Sequence, residues 1–251
     1  MNNQTGEKHT GRKIAAALLW LLLWQLASMA FGKSFVLPSP VFTCRTLLQL
    51  CTQALFWRSC AVTLLRTAGG MALAALLGFL CAWAAWKSGW VREILAVPSA
   101  VIKSVPVMSV ILIALLCLKS HIVPVFVCFL MCFPVMYTNI LQGFDSVPAE
   151  YRELAQVYRI AGLRYFTRIL VPASRGYIRA GLLLCCGLSW KSTVAAEVLS
   201  SPRVSMGYHL LTAKMYLDGP SLFAWTVGIV LLSMLFEKAV RALAGRDADD
   251  R

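Results

Sequence analysis

Acidic side chains are scarce in this chain: 11 Asp and Glu stand against 24 Lys and Arg in 251 residues, for a formal net charge of +13. Charged residues of both signs make up only 14%, where an ordinary soluble domain carries about 25%. Histidine is limited to His9, His121 and His209, scattered along the chain, and the nine cysteines form no C-x-x-C pair. Each shortage excludes something. A membrane enzyme wants clustered Asp, Glu or His near one face, and no such cluster is present. There is no zinc-finger spacing, no RNA-binding fingerprint and no stand-alone basic domain, so the positive charge has no nucleic-acid motif behind it. GLSWKST (187–193) resembles the tail of a phosphate-binding loop, but Trp190 rather than Gly precedes Lys191 and no strand leads into it. No nucleotide site, cofactor, metal or nucleic-acid partner is expected.

What the chain has in excess is apolar sequence in long blocks. Hydrophobic residues reach 59%, above the roughly 45–50% of soluble domains. Six blocks approach the ~20 residues that cross a bilayer: Ile14–Phe31, Ala61–Trp86, Ile94–Leu118, Ile122–Gly143, Tyr177–Leu199 and Ser221–Val240. Backbone in lipid must satisfy its own hydrogen bonds, and the alternation of a membrane barrel is missing, so the blocks read as helices. The first has the basic flank and the SMA tripeptide of a signal peptide, but its apolar run is long and carries Trp20 and Trp24; we read it as an uncleaved span. With the N-terminus inside, the short inner segments hold fourteen Lys and Arg and the outer ones six, which places both termini in the cytoplasm. Cys81, Cys117, Cys128, Cys132, Cys185 and Cys186 lie within apolar blocks and read as small buried hydrophobes; Cys44, Cys51 and Cys60 fall at or near the outer surface.

Two segments break the apolar pattern. SFVLPSPVFTCRTLLQLCTQALFW (34–57) places Val41, Leu47, Leu48, Leu50 and Leu55 after two prolines, the pattern of a short amphipathic helix along the outer surface. We therefore divide the chain into 1–57 (N-terminal tail, first span and outer amphipathic segment), 58–242 (transmembrane domain) and 243–251 (cytoplasmic tail). The second segment is ELAQVYRIAGLRYFTRILVP (153–172), between the fourth and fifth spans and so cytoplasmic. Leu154, Val157, Tyr158 and Ala161 recur at helical steps, with Arg152, Arg159 and Arg164 between them. Pro148 suits the helix start and Gly162 can end it. Such a face suits either an anionic lipid surface or a groove on a partner protein.

The segment resembles the EAA signature of importer-type ABC permeases, in which Glu-x-Ala opens a loop, Gly follows six residues after the Glu, and I-x-L-P closes it. Glu153 and Ala155 match the opening; Ile169 and Pro172, sixteen and nineteen residues after Glu153, match the close, with Val171 at the Leu place. Arg159 stands where the family has Gly, and Gly162 is the nearest glycine. An arginine is ill-suited to a positive φ, so we expect the first loop helix to run past Arg159 and Gly162 to make the turn. The likeness continues through GLSWKSTVAAEVL (187–199), FAWTVGIVLLSMLFEKAV (223–240), VLPSP (36–40) and VIKSVPVMS (101–109), similar to the nitrate/sulfonate/taurine-type permeases. It implies an all-α polytopic membrane protein of the type I ABC importer permease fold, with six transmembrane helices and cytoplasmic coupling helices, in a bacterial inner membrane. Separate ABC ATPase subunits would hydrolyse ATP, an extracytoplasmic binding protein would deliver the solute, and two permease subunits, most simply a homodimer, would form the pathway. Glu153, Ala155, Arg159, Gly162, Ile169 and Pro172 would belong to the ATPase-coupling loop.

Charges inside the spans are the remaining candidates. A charge at mid-bilayer costs about 2.5–3.5 kcal/mol on insertion scales and usually faces a pore or a partner. Arg66, Lys103, Lys191 and Glu197 lie in spans, and Arg179 near an end. Lys191 and Glu197, six apart on one helix, point in different directions, so each wants a partner elsewhere. Lys103 sits beside Pro106, which loosens the helix and suits a cavity wall, and Trp190 offers an aromatic face beside Lys191. Lys103, Pro106, Trp190, Lys191 and Glu197 are the candidate pathway residues; the positive excess points to an anion, and the resemblance implies a sulfonate, nitrate or another small nutrient. A self-contained secondary transporter is the alternative. It would need an embedded proton or sodium relay and two related halves, and beyond Glu197 the sequence offers neither.

Overall fold

The computed structural model describes residues 4–32 and 35–245, and every regular element among them is a helix. In chain order these are α1 (Gln4–Phe31), α2 (Pro40–Cys51), α3 (Ala54–Lys87), α4 (Gly89–Ser104), α5 (Val107–Cys117), α6 (Val123–Asp145) and α7 (Ala149–Val157). After α7 come α8 (Leu163–Tyr165), a π-helical turn (Phe166–Leu170), α9 (Val171–Ala173), α10 (Arg175–Ser200), α11 (Met206–Met215) and α12 (Gly219–Gly245).

Among the described residues, α3, α6, α10 and α12 are long and apolar enough to cross a membrane. The block Ile94–Leu118, read from sequence as one span, is instead two helices, α4 and α5, bent by 107°. The cause is local. Pro106 disfavours helical backbone at the residue before it, and Val105 is extended at φ −75°, ψ 133°. The first block is helical within α1, whose apolar stretch Leu18–Ala30 is shorter than a full span. The expected amphipathic helix of 34–57 is α2. Ser39 caps it by accepting from the Phe42 amide at 3.2 Å, and Pro40 occupies the first turn, where its missing N–H costs nothing. Leu47 and Leu50 pack on Phe56, Met206 and Trp225, while Val41 and Leu48 stay exposed. α3 starts at Ala54, ahead of the boundary set at 58, and of the tail 243–251 only the part to Gly245, the end of α12, lies within the described residues.

α6 is the centre of the bundle: 56% of its most apolar window is buried, against 22% for the peripheral α12. α3 and α10 flank it, through a seam of Met71, Ala74, Cys128, Cys132, Met136, Cys185 and Cys186. Small side chains let the axes approach, which is how helices gain packing without a hydrophobic drive from lipid. All nine cysteines are free thiols. Outward, Leu65, Val97, Leu116 and Leu235 are each more than 60% exposed, an apolar flank that bilayer would cover.

Where α3 and α6 end, the core turns aromatic. Phe79, Trp83 and Trp86 of α3 meet Phe144 of α6 and, from the segment after α7, Tyr165 and Phe166; Phe144 lies 5.9 Å from Phe166, and Trp86 stacks on Tyr165 at 6.3 Å. Each such pair contributes about 0.5–1.5 kcal/mol beyond its buried area. Arg92 of α4 pairs with Asp145 at the same end. The loop 147–172 is thus bolted to the bundle by rings.

Candidate functional site

The loop is built from two turns on one anchored base. α7 begins directly after Pro148, as its fixed φ favours. Ala155 on its inner side is buried, while Leu154, Val157 and Tyr158, with Leu163 after the turns, are 52%, 78%, 71% and 74% exposed. Glu153 is exposed as well. On the base side, Tyr165 and Leu170 are buried and Ile169 packs on the core. Pro172 lacks the N–H that would close an α turn, and a π-helical turn widens the helix just ahead of it.

The expectation for Arg159 is overturned. α7 does not continue past it: the helix ends at Val157, and Arg159 itself takes the left-handed conformation at φ 51°. The amide of Ile160 donates to the Ala155 carbonyl at 2.7 Å and that of Arg159 to the Gln156 carbonyl at 3.0 Å, the paired bonds of a Schellman cap. Two orphan carbonyls gain partners, and this offsets the ~1–2 kcal/mol that left-handed backbone costs a residue with a Cβ. Gly162 also makes a turn, at φ 60°, ψ −130°, a region close to glycine-only. The loop therefore has two positive-φ turns, and the arginine holds the family's glycine position with the glycine conformation.

Two of the charges in the apolar blocks, Arg66 and Glu197, form a second constellation. Glu197 of α10 is fully buried and pairs with Arg66 of α3 at 2.8 Å. Thr63 donates to both carboxylate oxygens, at 2.9 and 3.1 Å, and the Gly207 amide donates at 3.2 Å. The Thr63 hydroxyl also accepts from the Met206 amide at 3.1 Å, and Arg66 reaches the Val204 carbonyl at 3.3 Å. The start of α11 is thereby latched to α3 and α10. Gly207 is required here, because a Cβ would lie 2.4 Å from the Cβ of Glu197. Farther along α11, His209 stacks on Trp225 at 4.5 Å and shares a hydrogen bond with Ser59 at 3.1 Å; burial holds it below the usual imidazole range.

The other pathway candidates sit apart from this latch. Lys103 is exposed at the end of α4 and donates to Thr138 of α6 at 3.3 Å, and Pro106 leads into α5. Lys191 is exposed and lines a cavity of about 480 Å³ between α10 and α12, which also holds Glu237. Trp190 is buried, edge-on to Phe236 at 6.0 Å, and packs between those helices. Lys103, Lys191 and Glu197 share no hydrogen bond or cavity among the described residues. Sequence reasoning missed two things: Glu237, a second acid within an apolar block, paired with Arg241 at 2.6 Å, and the Arg66–Glu197 pair, which joins residues 131 apart in the chain. The i, i+4 spacing to Arg241 was a legible signal for the first; no local pattern marks the second. Among the described residues no group of three His, Cys, Asp or Glu could hold a metal ion.

Residues 74–246 match the family model described as binding-protein-dependent transport system inner membrane component. The chain is 28% identical to the bicarbonate transport system permease protein CmpB of Synechocystis sp., over 92% of this chain and 86% of that one. It is 29% identical to the nitrate import permease protein NrtB of Leptolyngbya laminosa, over 79% and 71%. Among solved structures it is similar to a chain of a bacterial alginate ABC transporter in complex with an alginate pentasaccharide-bound periplasmic protein. That match has a TM-score of 0.62 at 12% identity and covers 98% of this chain and 96% of the other; at that identity the likeness carries the fold alone.

Proposed function

The chain belongs to the family of binding-protein-dependent transport system inner membrane components, and from that premise we propose how its parts are used. It is the transmembrane permease subunit of an ATP-driven ABC importer. The loop 147–172, with Glu153, Ala155, Arg159, Gly162, Ile169 and Pro172, docks on a separate ATPase subunit, and a binding protein delivers solute from the opposite side. Residues 58–242 carry the transmembrane domain, preceded by the first span and outer segment in 1–57 and followed by the tail 243–251. There are six spans, with α1 the first and the bent pair α4–α5 the third, and both termini are cytoplasmic. The working unit is a homodimer. The solute is a small anion: the relatives are named for bicarbonate and nitrate, and Lys103 and Lys191 supply exposed positive charge in the apolar blocks.

The observation that carries this reading is the two-sided loop. One side is welded into the aromatic core, and the other presents Leu154, Val157, Tyr158 and Leu163 to no partner among the described residues. An apolar helix face of this kind suits insertion into a protein groove, and its base transmits any push directly to α3 and α6. Co-purification with the cognate ATPase tests it. Val157→Asp and Leu163→Asp, both at exposed positions, should leave the chain folded and abolish ATPase capture. Full capture by both variants would assign docking to another surface.

A further inference from the structure

Between the inner side of the docking loop and the end of α3 lies a cavity of about 410 Å³ to which the transport reading assigns no ligand. Its size is within the ~300–1,000 Å³ of small-molecule sites. The walls come from three places: Trp86 and Lys87 at the end of α3, Arg152 and Gln156 on α7, and Gly162 and Tyr165 after the turns. The lining includes two cations and no acid. Neither cation is held in a salt bridge among the described residues; Lys87 rests its ammonium 4.4 Å from the centre of the Trp83 ring. Tyr165 is 9% exposed, and its hydroxyl is buried without a hydrogen-bond partner. Buried hydroxyls are almost always bonded, so Tyr165, which lines this cavity, keeps an unused donor that a ligand could engage.

We propose that this cavity binds a phosphate-bearing anion, supplied in place by the headgroup of an anionic membrane phospholipid. Lys87 and Arg152 bring charge-assisted donors, the arginine in a fork that fits a phosphate. Gln156 and Tyr165 complete the set with neutral donors. The site also lies where such a headgroup lives. Trp83, Trp86 and Lys87 occupy the last turns of a membrane-length helix, the aromatic-and-basic pattern of the bilayer boundary, and basic pockets between helices at that level take acidic headgroups. A bound headgroup bridges α3 to α7 and braces the loop. Binding itself is independent of the ATPase-docking reading.

The test uses the purified full chain in detergent, titrated with phosphatidylglycerol, with phosphatidylcholine and with inorganic phosphate, and read by native mass spectrometry. Wild type should retain phosphatidylglycerol at least tenfold more tightly than phosphatidylcholine. Lys87→Gln with Arg152→Gln should erase that preference, and Tyr165→Phe, which keeps the ring packing, should weaken binding about fivefold, the effect of one neutral hydrogen bond. Arg164→Gln with Arg168→Gln removes the same charge from exposed positions outside the lining and should leave the preference intact. Phosphate binding that displaces the lipid and shows the same variant pattern would support the site with a free anion as its occupant. Equal phosphatidylglycerol retention by wild type, the cavity variants and Tyr165→Phe, with no phosphate binding sensitive to them, overturns the proposal. ATPase capture measured on the same preparations reports separately on the docking reading.

Discussion

Single residues fix the shape of the loop and the latch. Arg159 holds a left-handed conformation that glycine adopts without a steric penalty. Arg159→Gly should therefore fold and gain about 1 kcal/mol in stability, moderated by the greater freedom of glycine in the unfolded chain; thermal unfolding in detergent measures it. Gly162→Val should do the reverse, because φ 60°, ψ −130° is closed to a β-branched residue. Glu197 is the more severe case. Removing one partner of a buried pair leaves the other charged and unpaired, at about 3–5 kcal/mol. Glu197→Ala should destabilise the chain by that order, whereas Arg66→Met with Glu197→Met should recover much of the loss. A double variant no better than the single one would show that the hydrogen bonds from Thr63 and Gly207, rather than the charge pair, carry the latch.

At the scale of elements, most of the fold was legible because its period is strong. Long apolar blocks, the capped start of α2 and the amphipathic pattern of α7 all lie in local sequence. What stayed hidden depends on context. Pro106 and the extended Val105 set the break locally, but the 107° angle goes with where the two halves pack, α4 on α3 and α6 and α5 on α6 and α10. Arg159 reads as a residue that avoids positive φ, and the gain from two cap hydrogen bonds outweighs that preference only once Gln156 and Ala155 are in a finished helix. The Arg66–Glu197 pair joins distant positions, so it has no spacing to read. The motif itself, from Glu153 to Pro172, was visible residue by residue, while its division into an exposed face and an aromatic base was not. That division carries an element-level expectation: Phe166→Ala should loosen the joint between loop and bundle, lowering ATP-driven uptake more than ATPase capture, because Phe166 touches Phe79, Trp83 and Phe144 rather than the exposed face. Equal loss of both would place Phe166 in folding alone.

At the scale of the whole molecule, the proposed orientation and copy number draw on charge and geometry. The proposed cytoplasmic side for the loop and both ends rests on the fourteen-to-six bias of Lys and Arg. Reporter fusions after Trp90 and Tyr151 should then read inside and those after Lys119 and Met215 outside. Lys103 and Lys191 are exposed and separate in the single subunit, and a second copy is what would bring such charges to a common pathway. Lys103→Met and Lys191→Met should each reduce anion uptake while leaving expression and ATPase capture unchanged; normal uptake by both would make the charges structural. The most direct measurement is the native mass of the complex purified with its ATPase. Two copies of the 27.6 kDa chain with two ATPases, dissociating when Val157→Asp is introduced, is the predicted result. A complex holding one copy of this chain and no second permease, or one that stays whole with Val157→Asp in place, would contradict it.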